Sequence, residues 1–210
     1  MADTQASSFK EEIEWLKKVI DFQFFHSFNQ RPPNKGSNVI QAKVVNDILP
    51  PELEGVDAYA KFLHESALSF DERLLLILAL VNHIDPVFLP AIFYNQGQHS
   101  KVEQRRPTLR QNLLFGGTTG TNPNWFIPTG LTFLFVRGGK DYGERMEAQQ
   151  VFAQSNVLSE KGVILLEPHL KGEPTLSGRL TVMESYIELF TLGYMINQEL
   201  NSLKYPKNRH

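Results

Sequence analysis

Cysteine is absent from the 210 residues. That excludes a disulfide framework, thiolate metal ligands and cysteine nucleophiles. Long apolar runs are missing too. The longest, Leu74 to Val81, has eight residues, against about 20 for a membrane-spanning helix. The start, MADTQASSFKEE, has neither the basic opening nor the apolar core of a signal peptide. Basic charge is not in excess: 21 Lys and Arg stand against 23 Asp and Glu, for a net charge of -2. Nucleic-acid binders usually carry a clear basic surplus, so the balance argues against that partner. None of the six histidines has another four residues on, and no HExxH occurs, so zinc has no local signature. The expectation is a soluble, cytoplasmic chain with no membrane span, no metal and no cofactor.

What is present is mostly helical pattern. Hydrophobic residues make up 41% of the chain, enough for a real core. Ser8 and Glu11 have capping-box spacing. Phe9, Ile13, Leu16, Ile20, Phe24 and Phe28 then recur at helical steps, with Lys and Glu on the opposite face. That predicts an amphipathic N-terminal helix whose aromatic stripe packs on the chain's own core or on another copy. Arg31 to Asn38 is a breaker cluster rich in Pro, Gly, Asn and Ser. It sets residues 1–36 apart as a helical arm and linker, before a domain over 37–193 and a polar tail or connector over 194–210. Short helices are expected over 39–49 and 56–63. Ser69 and Glu72 make a second capping box, opening a helix over 70–82 that is apolar all round and therefore central. Asp85-Pro86 opens a short helix, with Pro90 inside it. Asp141 and Glu144 predict a helix over 142–154. Val163 to Leu166 is a β-rich run, and Arg179 to Thr181 can return beside it as a hairpin. Thr181 and Glu184 suggest a fourth capping box, and Gly193 a left-handed helix end. The fold class is mainly α with a small β-hairpin (α+β). Helices followed by a ribbon make a winged-helix-like arrangement, on about residues 57–193.

Chemistry is harder to find. Gly116-Gly117-Thr118-Thr119-Gly120-Thr121-Asn122 is rich in glycine, but a Walker A loop needs a lysine to reach the phosphates, and none is there. A structural turn with glycines at positive φ is the better expectation. No G-x-S-x-G occurs. Glu11/Glu12 and Asp71/Glu72 fall in expected helix first turns, where the helix dipole accounts for them. No catalytic set emerges, and no enzyme is expected of these residues. Two partner candidates remain. Trp125 and Phe126 stand in a polar loop, either plugging the core or forming a contact surface. Lys101, Arg105, Arg106 and Arg110 form a basic cluster, either a solvated face or a contact for phosphates or an acidic protein.

Three blocks carry a resemblance. Leu68-Ser69-Phe70-Asp71-Glu72-Arg73-Leu74 resembles an LSxxERL helix start. Phe115-Gly116-Gly117, Phe126-Ile127-Pro128-Thr129-Gly130 and Leu134-Phe135 resemble a GG…xPTGET…LF block. Leu176-Ser177-Gly178-Arg179-Leu180, before Glu188 to Gly193, resembles an SGxL…ExLxLxTxG close. In this order the blocks are similar to the region preceding the ATPase module in bacterial AAA+ ATPases of the Bacteroidetes type. Leu131 departs from the pattern, which has glutamate after the Pro-Thr-Gly, and Thr121 stands where a basic residue is expected. The resemblance implies a non-catalytic interaction or adaptor domain, whose partners are another protein or a downstream ATPase module. Self-association through the N-terminal helix is a further option. The alternative is a winged-helix nucleic-acid-binding domain, with Lys171 and Arg179 near the wing.

Overall fold

The computed structural model describes residues 2–28, 42–54, 57–95, 115–153 and 155–193. Among them the chain is mainly helical with one two-stranded antiparallel sheet, the α+β class that the sequence pattern predicts. Helix α1 spans Ala2–Phe28. Ser8 therefore lies inside the helix and does not cap it. Its buried hydroxyl donates to Asp57 Oδ2 at 2.6 Å. A capping spacing inside a longer helical pattern cannot by itself mark a start. The stripe of α1 is buried at Trp15, Leu16, Val19, Ile20, Phe22 and Phe24. It belongs to the same hydrophobic cluster as the rest of the chain and does not stand off as an arm. Trp15 Nε1 fixes the following segment by donating to the Ile48 carbonyl at 2.7 Å. The breaker cluster over 31–38 lies outside the described residues. Within the described part of 39–49 the expected helix is only a single 3-10 turn, Val45–Asp47.

Helix α2 spans Ala58–Ser66 and starts at the Asp57 cap, which accepts from Ala60 N at 2.9 Å. Helix α3 spans Phe70–Ile84 and has the predicted capping box of Ser69 and Glu72. Every residue from Leu74 to Val81 is buried, so α3 is the core helix its composition requires. Helix α4, Phe88–Asn95, begins two residues beyond Pro86. Pro90 sits in its first turn, where a missing N–H costs nothing. Helix α5 spans Gly130–Gly138. The long helix expected over 142–154 is two pieces, α6 (Tyr142–Ala148) and α7 (Gln150–Ala153). Helix α8 is Val157–Glu160. No helix among the described residues is long and apolar enough to cross a membrane.

Strands β1 (Ile164–Leu166) and β2 (Leu180–Val182) pair in antiparallel register, with Leu165 opposite Thr181. The ribbon lies on α3. Thr181 is thus a strand residue and does not cap a helix. Its hydroxyl donates to Glu167 Oε1 at 3.3 Å. Helix α9, Glu184–Leu192, starts at Met183 without a side-chain cap and ends at Gly193 with φ 83°, in the left-handed conformation expected there.

The segment from Phe115 to Thr129 runs beside the ribbon. Thr118 and Ile127 exchange two backbone hydrogen bonds at 2.9 and 2.8 Å, and Leu180 N donates to the Pro128 carbonyl at 3.0 Å. Thr129 then caps α5, accepting from Leu131 N and Thr132 N. Thr132 supplies the return bond to the cap backbone, at 3.0 Å, that a glutamate would give in the common box. The glycine turn is structural. Gly116 holds φ 71°, and a Cβ on Gly117 would lie 2.2 Å from the Phe126 ring.

Candidate functional site

The adjacent aromatics of the loop part company. Phe126 is fully buried and stacks on Phe93, with ring centroids 4.4 Å apart and planes at 19°. It offers no side-chain surface to a partner, which corrects the expectation that both aromatics could do so. Trp125 is 49% exposed. The loop is extended here, and successive side chains of an extended chain point to opposite sides. Once Ile127 bridges to Thr118, one of the two aromatics must face out. The sequence, with Trp125, Phe126 and Ile127 all apolar in a row, does not show which of them faces out. Lys101, Arg105, Arg106 and Arg110 lie outside the described residues.

Trp125 forms one wall of a cleft of about 380 Å³, at the small end of the ~300–1,000 Å³ range usual for ligand sites. Ala79, Ile127, Pro128 and Leu180 supply apolar lining, and Asn82, His83, Glu167 and Arg179 supply polar groups. Four segments build it: the C-terminal half of α3, the Trp125 loop, Glu167 just after β1 and the start of β2. Asn82 is the pivot. Its Nδ2 donates to the Phe126 carbonyl at 2.8 Å, which holds the loop against α3. Its Oδ1 is buried with no hydrogen-bond partner, the one such side-chain atom among the described residues. Turning the amide over would set an oxygen against the Phe126 carbonyl, two acceptors face to face, so Oδ1 keeps the unsatisfied position. His83 sits at the rim, where partial burial holds its imidazole below the ordinary value of 6.5 and favours the neutral form. Arg179 and Glu167 meet loosely at 3.9 Å, with both side chains more than 40% exposed. At that distance the guanidinium is not hydrogen-bonded to the carboxylate.

Elsewhere the buried charged groups are closed off. Glu12 is fully buried in α1, well inside the helix and not in a first turn as the sequence suggested. Arg73 of α3 grips its Oε1, and Tyr59 donates to Oε2 at 3.1 Å. The same arginine donates to the Pro51 carbonyl at 2.7 Å. Burial pushes the Glu12 carboxyl up, against the opposing pull of Arg73. Burial, and then the Glu12 charge, pushes the Tyr59 hydroxyl up further. Arg137 of α5 is 3% exposed and bridges Asp71 at 2.6 Å and Glu144 at 2.7 Å. Burial alone would lower its pKa, and the bonds to Glu144 and Asp71 outweigh that. Glu72 caps α3 with one oxygen and accepts from Val157 N at 2.8 Å with the other. Burial opposes ionisation there, but the bonds from Ser69 and Val157 win and hold the carboxyl below its ordinary value. Each of these groups ties helices together, and each has its hydrogen bonds filled from within the chain. Among the described residues no three His, Asp or Glu side chains gather as metal ligands would.

No family model, curated protein or solved structure matches the chain. The site must be read on its own terms. It is a small, half-apolar cleft on a helical domain, with an indole at its mouth and incompletely used hydrogen-bonding groups inside.

Proposed function

We propose that this chain is a non-catalytic interaction domain, working in the cytoplasm beside the ATPase module of an AAA+ protein. It presents partners or substrates to the motor, and ATP hydrolysis belongs to the module. The observation that carries the interaction reading is Trp125, a large indole held half-exposed at a cleft while its neighbour Phe126 is spent on the core. Aromatics of this kind dominate protein contacts, because they bury much area at little entropic cost.

The ATPase association rests on the three resembling blocks, and their packing supports it. Gly130 N donates to the Gly178 carbonyl at 3.3 Å and Leu131 N to Leu176 O at 2.9 Å, joining the second block to the third. Asn82, at the end of the helix that the first block opens, holds Phe126 of the second. Segments that resemble one family thus meet around one cleft. The reading predicts an ATPase module encoded in the same or a neighbouring frame. That module should co-purify with this chain, and its delivery of substrate, not its basal ATPase rate, should fall with Trp125→Ala. Magnesium-ATP titrated into this chain alone should release no heat of binding. Neighbouring genes without an ATPase, or tight ATP binding by these residues, contradict the proposal.

A further inference from the structure

We infer that the Trp125 cleft takes an internal, uncharged peptide segment of a partner protein, anchored by one aromatic side chain. This rests on the interaction reading above and names what that site recognises. The cleft itself sets the requirements. Its lining at Ala79, Ile127, Pro128 and Leu180 is apolar, with the half-exposed Trp125 indole beside it, so the anchor is apolar and best aromatic. Its volume of about 380 Å³ admits one such side chain with the flanking peptide groups and little more.

The polar groups favour main-chain amides over a charged ligand. Arg179 brings hydrogen-bond donors that Glu167 leaves unused at 3.9 Å. Glu167 brings a half-exposed carboxylate, one oxygen of which accepts from Thr181 Oγ1 at 3.3 Å while the other is open. One positive and one negative side chain face the same space, and His83 beside them favours its neutral form. A carboxylate drawn to Arg179 meets the Glu167 charge, and an ammonium drawn to Glu167 meets Arg179. A peptide group has a carbonyl for Arg179 and an N–H for Glu167, with no net charge to repel.

Two tryptophans make the test direct. Trp15 is 2% exposed and bonded to Ile48, whereas Trp125 is half-exposed. Their indole N–H resonances are assigned in a nitrogen-15 spectrum of the full chain by Trp125→Phe, which removes one signal. The probe is acetyl-Ala-Phe-Ala-amide, with the same peptide bearing Ala for Phe, and the free-acid form, as comparisons. The expected result is a saturable shift of the Trp125 indole and the Asn82 side-chain amide, with Trp15 unmoved. The Ala peptide, and the parent peptide on Trp125→Ala, should each bind about tenfold more weakly. Arg179→Met, which changes an exposed side chain, should weaken binding without moving the Trp15 signal.

No Trp125 shift up to the solubility limit overturns the inference. So does a free acid that binds tenfold better than the amide, since the ligand is then a chain end. A shift that follows protein concentration and not peptide makes the occupant a second copy, and overturns it as well. Peptide binding without any associated ATPase module leaves this inference standing and removes the ATPase proposal. An associated module with no peptide binding does the reverse.

Discussion

The Glu12 centre and the Trp125 cleft both place polar groups in apolar surroundings, and they finish the job differently. Around Glu12 each carboxylate oxygen has a partner, the arginine is shared with a backbone carbonyl, and the tyrosine hydroxyl is used. In the cleft one buried amide oxygen has no partner and an arginine stands 3.9 Å from its carboxylate. On the proposed reading the first is a structural joint and the second a binding site. Closed hydrogen-bond accounts hold α1, α2 and α3 together.

The comparison breaks most readily at the closed centre. Arg73→Met strands the Glu12 charge in the core and should cost about 3–5 kcal/mol by urea unfolding. If the loss is under about 1 kcal/mol, Glu12 is not held as a buried ion and the contrast fails. Phe126→Ala comes next. It opens a cavity against Phe93 and should cost about 3–4 kcal/mol, and Trp125→Ala, with half its indole already in water, should cost less than half as much. Equal losses at 125 and 126 would erase the inward-outward split. Thr129→Ala removes the α5 cap and should cost about 1 kcal/mol, more than Thr129→Ser, which keeps the hydroxyl.

The smallest effect is at the cleft rim. The folded His83 pKa lies below its ordinary value of 6.5, so the unfolded chain takes up the proton first. Stability from this group is complete above pH 6.5 and declines as pH falls below it, levelling off at the folded pKa. His83→Gln should flatten that part of the pH profile slightly, and a steeper decline in the variant would reverse the assigned sign. Glu12 adds an opposite slope. Its folded pKa is raised, so its ionisation costs stability as pH rises above its ordinary 4.5.

Local signals were legible and distant ones were not. The Ser69 box, the apolar α3 and the Gly193 end depend on residues within a few positions of each other, and the sequence shows them directly. The hairpin is a near-neighbour feature as well, with Leu165 opposite Thr181. Glu12 and Arg73 are 61 residues apart, and nothing in the spacing of either announces the other. Ser8 and Thr181 have capping spacing, but a helix extending to Ala2 and a strand reaching Val182 took those positions for other bonds. Tertiary context decided between two local possibilities that look alike. Trp125 was legible as a candidate because an aromatic in a polar loop is unusual. The rest of its cleft was not, because Asn82, Glu167 and Arg179 come from three separate segments. Asn82 did leave a trace, as the first polar residue after eight apolar ones on α3.

The glycine and threonine loop that invites a phosphate site in sequence serves a different end. Gly117 lets the Phe126 ring approach, and the bonded pair Thr118 and Ile127 sets the direction of the loop. Its product is the position of Trp125.

The most direct test follows from linkage. A ligand that binds only the folded state raises unfolding free energy with concentration, by about 2.7 kcal/mol at a hundred times its dissociation constant. Equilibrium unfolding of the parent chain and of Trp125→Ala, in rising acetyl-Ala-Phe-Ala-amide, measures this at the cleft. The prediction is a midpoint that climbs with peptide for the parent, and for Trp125→Ala climbs only at about tenfold higher peptide. An equal climb in both, or none in either, contradicts the assignment of the cleft as the binding site.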